Sequence, residues 1–340
     1  MCERPIAEQD QGDHAAAMAF LSDRHSYAHR PAQVEVVETH TSHVFVAGDL
    51  VYKTKKPIQL SFVDYGPLKA RRQSCEREVS LNQALAPGVY LKSLPVLRPT
   101  DGSLAFEGEG VPVEWVVLMR RLDTSRLLDN RCQMQSVRPD DIERICDRLA
   151  AFYRTAPRSY LTDTELIATY QRNIALATRS LNDPVFELPS GLVQPPLDAL
   201  RQFLRDRSNL LTDRLAQGRI VDGHGDLRPE HVYLGPPTLV IDRLEFDDRL
   251  RQVDPFDEIA LLSLECERLE CPWIGDQLHA GLEKRLDDDV PPQLKEFYRT
   301  IRACMRARLS IEHLRDAKPR QPERWPALAR DYLRLATPSR

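Results

Sequence analysis

The sequence predicts an α+β fold in two parts, and three observations predict it. Residues 33–121 are rich in β-branched runs and carry one helix-forming stretch. From about residue 122 the chain is mostly helix-forming. That helical half is interrupted at 219–246 (RIVDGHGDLRPEHVYLGPPTLVIDRLEF), where short apolar strands flank a polar loop. Strands and helices are segregated rather than alternating, which argues against a doubly wound parallel sheet. The 340 residues suit about two domains and supply ample core without a metal or disulfide staple. The expected division is a β-rich N-lobe over 1–121, preceded by a peripheral N-terminal segment, and a helical C-lobe over 122–340.

Each element has a local reason. A short helix fits HAAAMAFLS (14–22) in the N-terminal segment. VEVVET (34–39), HVFVAG (43–48) and LVYKTKK (50–56) are β-branched runs, and Gly48-Asp49 between the last two is a hairpin turn. Pro67 opens a charged helix that Ala86-Pro87-Gly88 closes, with Leu68, Cys75, Val79 and Leu85 near helical spacing. SLPVLRP (93–99) and VEWVVLMRRL (113–122) complete a five-stranded sheet. Helices are expected at 139–154, 162–181, 195–216, 254–270, 273–286 and 291–316. Strand VYL, a Pro-Pro turn and strand LVID form the small β interruption.

Composition narrows the function. With 47 basic and 51 acidic side chains the net charge is −4, which does not suggest a general nucleic-acid or membrane binder. No apolar run approaches the ~18 residues that span a bilayer. The opening MCERPIAEQDQGDH lacks the apolar core of a secretory signal, so a cytoplasmic protein is expected. Seven cysteines, without a CxxC, read as reduced thiols rather than a zinc site or disulfide framework.

The chemistry concentrates in His224-Gly225-Asp226-Leu227-Arg228-Pro229-Glu230-His231, polar residues crowded between two apolar strands that can hold them rigidly. Asp242 ends LVID. A carboxylate behind an apolar run is costly to bury unless something positive meets it, and a divalent cation is a natural partner. A hairpin between Asp226 and Asp242 would bring both to one end of the small sheet. Upstream, alternation puts Lys53 and Lys55 on one face of their strand and Lys56 on the other.

HGDLRPEH resembles the protein-kinase catalytic loop H-R-D-L-K-P-E-N, and more closely the H-G-D form of aminoglycoside phosphotransferases and choline-kinase-like enzymes. Ile241-Asp242 resembles the metal-binding Asp of those families. Glu38–Ser42, Tyr52-Lys53 with Lys55-Lys56-Pro57, and Cys75–Val79 resemble a bacterial subfamily in which this domain is often fused to a P-loop ATPase. No GxxxxGKS or GxxxxGKT occurs, so that second domain is not expected here, and a separate P-loop ATPase becomes a candidate partner. The resemblance covers roughly residues 25–320 and implies a protein-kinase-like two-lobe fold. It implies ATP and Mg²⁺ as cofactors and transfer of the γ-phosphoryl group to a hydroxyl of a small molecule. Asp226 would accept or orient the hydroxyl proton, and Arg228 would sit near the transferred group. Asp242 would hold Mg²⁺, with His231 as a second metal contact. Lys53 would reach the α/β-phosphates, held by Glu78 or, as a competitor, Glu76. Met119 would lie near the hinge and the adenine. Asp254-Pro255-Phe256-Asp257-Glu258-Ile259-Ala260 is similar to the D-P-x-x-D-L/I-A helix start of phosphotransferases and reads physically as an N-cap.

The sequence also departs from these families. His231 stands where they place Asn, and imidazole suits Mg²⁺ less well than an amide oxygen. Thr39–His43 replaces a glycine-rich loop, and no aromatic residue follows Asp242. These departures motivate a second reading, a pseudokinase-like nucleotide-binding module. A third is a metal-dependent hydrolase built on His224, Asp226 and His231, although His224 also reads as a packed support for the loop. Arg299, Arg302 and Arg306 form one helical stripe. The stripe reads as a solvated face, as partners of Asp247 and Asp248, or as the lining of an anionic acceptor pocket. Asp287-Asp288-Asp289 reads as a solvated loop.

Overall fold

The computed structural model describes residues 8–60, 63–316, 319 and 321–336. The chain forms two compact units: the first runs to Thr124 and takes up Leu239–Asp248, and the second comprises Ser125–Thr238 and the chain from Arg249 onward. The fold is protein-kinase-like, a β-rich unit and a mostly helical one.

The first unit is built on an antiparallel sheet. Its strands are β1 (Val34–Glu38), β2 (Ser42–Ala47), β3 (Leu50–Lys55), β6 (Tyr90–Arg98) and β7 (Val111–Arg120), in the order β1-β2-β3-β7-β6. A short antiparallel pair, β4 (Gln59–Leu60) and β5 (Val63–Asp64), lies in the β3-to-helix connection. Gly48, at φ 65°, makes the β2–β3 turn, a backbone region that glycine enters without steric cost. One face of the sheet carries α2 (Leu68–Asn82), which packs on β3, β6 and β7. This helix ends three residues before Leu85, because the Asn82 carbonyl accepts the Leu85 and Ala86 N–H groups in a turn.

The opposite face is covered by the N-terminal segment. Helix α1 (Glu8–Ser22) and the turn after it contribute Ala17, Leu21 and Tyr27 to one core with Phe45, Tyr52, Val96, Val116 and Leu118. The Tyr27 and Tyr52 rings lie 4.8 Å apart, and the Tyr27 hydroxyl donates to the Leu21 carbonyl. The expectation of a peripheral segment is therefore corrected for residues 14–27, whose small and apolar side chains seal a sheet face that would otherwise meet water. A buried ion pair reinforces the unit. Arg71 of α2 donates from Nε to Glu114 of β7 at 2.9 and 3.0 Å, and His14 of α1 meets the same carboxylate at 2.7 Å.

The second unit contains α3 (Leu128–Gln133), α4 (Pro139–Thr155), α5 (Asp163–Leu181), α6 (Ser190–Arg207) and α7 (Asn209–Ala216). After the β interruption follow α8 (Pro255–Arg268), α9 (Trp273–Leu286), α10 (Pro292–Glu312) and α11 (Arg324–Leu335), the last not anticipated. The interruption contributes β8 (Val221–Asp222), β9 (Val232–Leu234) and β11 (Gln252–Val253), which pairs antiparallel with β8, whereas β10 (Thr238–Val240) lies mostly in the stretch that the first unit takes up. Helix α10 packs against α5, α6, α8 and α11. The basic stripe of α10 is paired within its own unit rather than solvated. Arg299 meets Glu267, Arg302 meets Asp257 and Arg306 meets Glu265, each at 2.7 Å and each on α8. Asp288 is likewise not a solvated loop residue, since it is buried against Arg214 and Arg219. Cys75, Cys132, Cys146, Cys266, Cys271 and Cys304 are free and buried; Cys2 lies outside the described residues. Among the described residues no helix is long and apolar enough to cross a membrane.

Because Leu21 is fully buried in the α1–sheet core, Leu21→Ala is expected to cost about 2–5 kcal/mol. Urea denaturation measures it, and a cost below about 1 kcal/mol would show that α1 is dispensable to the core.

Candidate active site

In the first unit the site is built on a buried acid. Glu78 faces the sheet from α2 and is fully buried. Lys53 projects from β3 and donates from Nζ to Glu78 Oε1 and to Asp242 Oδ1, both at 2.8 Å. Burial alone would push the proton off Lys53, but Asp242 and Glu78 more than offset it, so the ammonium is held well above its ordinary range. Asp242 lies two residues past the end of β10 and adopts φ 61°, a left-handed conformation uncommon for a residue with a side chain and found at many functional positions. Its N–H donates to the Tyr90 hydroxyl at 2.9 Å, and the next N–H, of Arg243, donates to Asn82 Oδ1. These two bonds fix the backbone that presents the carboxylate. The Asp242 side chain is 44% exposed, so water or a ligand reaches it.

The charge network continues past the predicted trio. Lys55 lies two residues along β3 and meets Glu78 Oε2 and Glu245 Oε1, each at 2.6 Å. Lys56 turns away as alternation requires and pairs with Glu38 at 2.6 Å. It donates as well to the Thr39 carbonyl of the β1–β2 turn. That turn is closed by Thr39, whose hydroxyl accepts the Ser42 N–H and donates to the Ser42 carbonyl.

In the second unit the HGD loop is held by its own backbone. Gly225 adopts φ 93° and donates its N–H to Glu258 Oε1. Gly223 admits no side chain, because a Cβ there would lie 2.5 Å from Val253 Cγ2 and 2.8 Å from Glu258 Oε2. Glu258 is buried, and burial pushes its carboxyl up against the lowering effect of the Gly225 and His224 backbone bonds. Its other oxygen accepts from the Tyr153 hydroxyl at 2.8 Å. His224 is fully buried and its Nδ1 accepts the Asp226 N–H at 3.2 Å. His231 Nδ1 lies 2.8 Å from the Asp226 carbonyl, which makes it the protonated nitrogen and leaves Nε2 facing Arg228 Nη2 at 3.4 Å. The Asp226 carboxylate accepts from Arg228 Nε at 2.9 Å. Burial raises the Asp226 pKa, but nearby positive charge, Arg228 foremost, outweighs it and holds the group below its ordinary value.

The predicted residues thus fall into two sets. Lys53, Glu78 and Asp242 meet in the first unit. Glu76 is excluded as the partner of Lys53 because it lies on the exposed side of α2 and pairs with Arg72 at 2.8 Å. Met119 is half-buried near the end of β7, opposite Val51 and Tyr90. Asp226, Arg228 and His231 meet in the second unit. Sequence reasoning missed Lys55 as a site residue, and also Glu245, Tyr90 and Glu258. The D-P-x-x-D start of α8 held a signal for the last, since Asp254 caps that helix as expected and places Glu258 one turn in.

No cluster of three His, Cys, Asp or Glu side chains suited to a metal occurs among the described residues. The donor chemistry still fits Mg²⁺ at Asp242, since that ion takes one or two carboxylates and completes its shell with water and phosphate oxygens. His231 offers only an imidazole nitrogen directed at a guanidinium, a poorer match.

Solved structures of phosphotransferases share this fold. The GDP and kanamycin complex of APH(2")-IIia superimposes with a TM-score of 0.53 at 16% identity, over 94% of this chain and 97% of that one. Thermostable APH(4)-Ia, in a ternary complex with AMP-PNP and hygromycin B, gives 0.53 at 12% identity over 95% and 99%. A choline/ethanolamine kinase family protein from Mesorhizobium loti gives 0.51 at 15% identity over 95% and 99%. The chain therefore has the aminoglycoside phosphotransferase and choline-kinase-like fold. By sequence it is 32% identical over 305 residues to the uncharacterized proteins Rv2004c of Mycobacterium tuberculosis and Mb2027c of Mycobacterium bovis. The match takes in 87% of this chain but only 58% of each relative. No family model matches the sequence.

A titration follows from the loop. The Asp226 pKa lies lower folded than unfolded, so the Arg228 pair stabilises fully above the unfolded value near ~4 and is lost as pH falls through the folded one. The stability difference between the wild type and Arg228→Met, read by urea melts, should be constant from pH 5 to 7 and shrink below about pH 4. A difference independent of pH would refute the pairing.

Proposed function

We propose that the chain is an ATP- and Mg²⁺-dependent phosphotransferase that delivers a γ-phosphoryl group to a hydroxyl of a small molecule. The carrying observation is Lys53 held between Glu78 and Asp242 at 2.8 Å on each side. A buried ammonium fixed by an acid on one side, beside a half-exposed carboxylate on the other, suits triphosphate oxygens and the cation they carry. When bound, the nucleotide–Mg²⁺ pair would supply the transferable group and neutralise the charge that builds on it. Lys53 would bind phosphate oxygens, Glu78 would orient Lys53, and Asp242 would hold the metal. Asp226 would orient the acceptor hydroxyl and take its proton, with Arg228 lending positive charge beside it. His231 would keep the loop in register through the Asp226 carbonyl, and its Nε2 would be the atom turned to metal or phosphate. Met119 would line the base pocket.

The acceptor is a small hydroxylated compound; the fold does not choose which one. A nucleotide-binding module without transfer is the competing reading, and it is favoured by one observation, the engagement of the Asp226 carboxylate with Arg228. The hydrolase reading has less support, because His224 and His231 spend one nitrogen each on the loop backbone.

Thermal unfolding with millimolar ATP or GTP and Mg²⁺ tests the site; the midpoint should rise with at least one nucleotide and fail to rise in Asp242→Ala. A screen of hydroxylated metabolites for nucleotide-dependent phosphorylation then tests the reaction. Asp226→Ala should lower kcat by about 10²–10⁴-fold while leaving the nucleotide-induced shift intact. Binding without turnover on any acceptor would favour the module, and no shift with either nucleotide would defeat both readings.

A further inference from the structure

Five charged side chains alternate along one line in the first unit: Asp242, Lys53, Glu78, Lys55 and Glu245, each neighbour joined at 2.6–2.8 Å. The far end of this line is the better buried, with Lys55 2% exposed and Glu245 7%. Glu245 accepts from the Tyr65 hydroxyl at 2.8 Å and the Ser74 hydroxyl at 3.0 Å. Three separate stretches of chain are tied by these bonds. Lys55 belongs to β3, Ser74 sits one turn before Glu78 on α2, and Glu245 follows Asp242 by three residues. Both oxygens of Glu78 face an ammonium, Oε1 hydrogen-bonded by Lys53 and Oε2 in an ion pair with Lys55, so its carboxylate cannot turn without separating a charge pair.

A buried ion pair is a poor way to gain stability alone, since apolar residues of similar size often serve as well or better. Its particular effect here is geometric. It fixes Glu78 independently of Lys53, and it anchors the segment that presents Asp242. We propose that Lys55 and Glu245 are positioning residues of the nucleotide site, holding Glu78 and Asp242 in their working arrangement before any nucleotide arrives. The proposal rests on the nucleotide-binding reading above. With this clamp the site is assembled constitutively, and Lys53 can turn toward a phosphate without leaving Glu78 bare of positive charge.

The test uses the full chain and two variants. Glu245→Gln keeps the shape and the hydroxyl bonds but removes the charge. Lys55→Met combined with Glu245→Gln removes both charges, so no acid at that end is left unpaired, and Glu78 keeps Lys53. Hydrogen exchange of residues 70–82 and 240–248 without ligand is measured beside the ADP·Mg²⁺ dissociation constant and the KM and kcat for ATP, below the unfolding temperature. Exchange over 240–248 at least tenfold faster, with Kd and KM raised tenfold or more and kcat changed less, is expected for the double variant. Glu245→Gln should fall between it and the wild type, and it carries the test alone if the double variant does not fold. A lower melting temperature with exchange and Kd within twofold of wild type would reduce the pair to a structural tie and overturn the proposal. If the wild type fails to bind ADP·Mg²⁺, the nucleotide reading falls with its positioning role, and the exchange rates alone decide whether the clamp exists.

Discussion

A carboxylate sealed from water must be met by positive charge, and in this protein that constraint falls on Glu78. Two lysines meet it, one on each oxygen, and both come from the same face of β3. The strand, the helix that carries Glu78 and the segment that carries Asp242 must therefore keep one mutual arrangement. The surrounding apolar structure supports this. Helix α1 closes the far face of the sheet, and the buried Arg71–Glu114 pair ties α2 to β7. The polar site is consistent with a rigid scaffold on both sides of a single sheet.

The second unit solves a related problem with backbone instead of side-chain charge. The HGD loop turns sharply at Gly225, and its amide is taken up by a dry carboxylate from α8. Two imidazoles fix the same loop, one receiving the Asp226 amide and the other bonding the Asp226 carbonyl. Histidine at 231 thus has a structural use that the families' Asn position does not by itself suggest. The tautomer it imposes determines which ring nitrogen faces outward.

Much of this was legible in the sequence. Periodicity located the strands of the sheet and most of the helices to within a few residues, and strand alternation put Lys53 and Lys55 together and Lys56 apart. Glu78 and Glu76 were both legible as candidates to hold Lys53, and burial on α2 separates them. The rest depended on contacts between distant parts of the chain. Glu245 is 190 residues from Lys55, and no local pattern connects them. The arginine stripe of α10 was visible as a stripe, but its partners lie on α8. Alanine-rich α1 gave a helix signal without an amphipathic one, so its place in the core could not be read from spacing. Asp288 looked like part of an acidic loop and is instead a buried counter-charge to Arg214.

The bond from Tyr153 to Glu258 has a consequence for anyone altering this protein. Tyr153 lies on α4, 105 residues from Glu258 along the chain, and its ring packs among core side chains. Yet its phenol steadies the acid that receives the Gly225 amide of the HGD turn. A library that treats this tyrosine as filler and exchanges it for phenylalanine would preserve the packing while loosening the turn from behind, so a defect seen in the loop could originate in a helix nobody had thought to sequence-check.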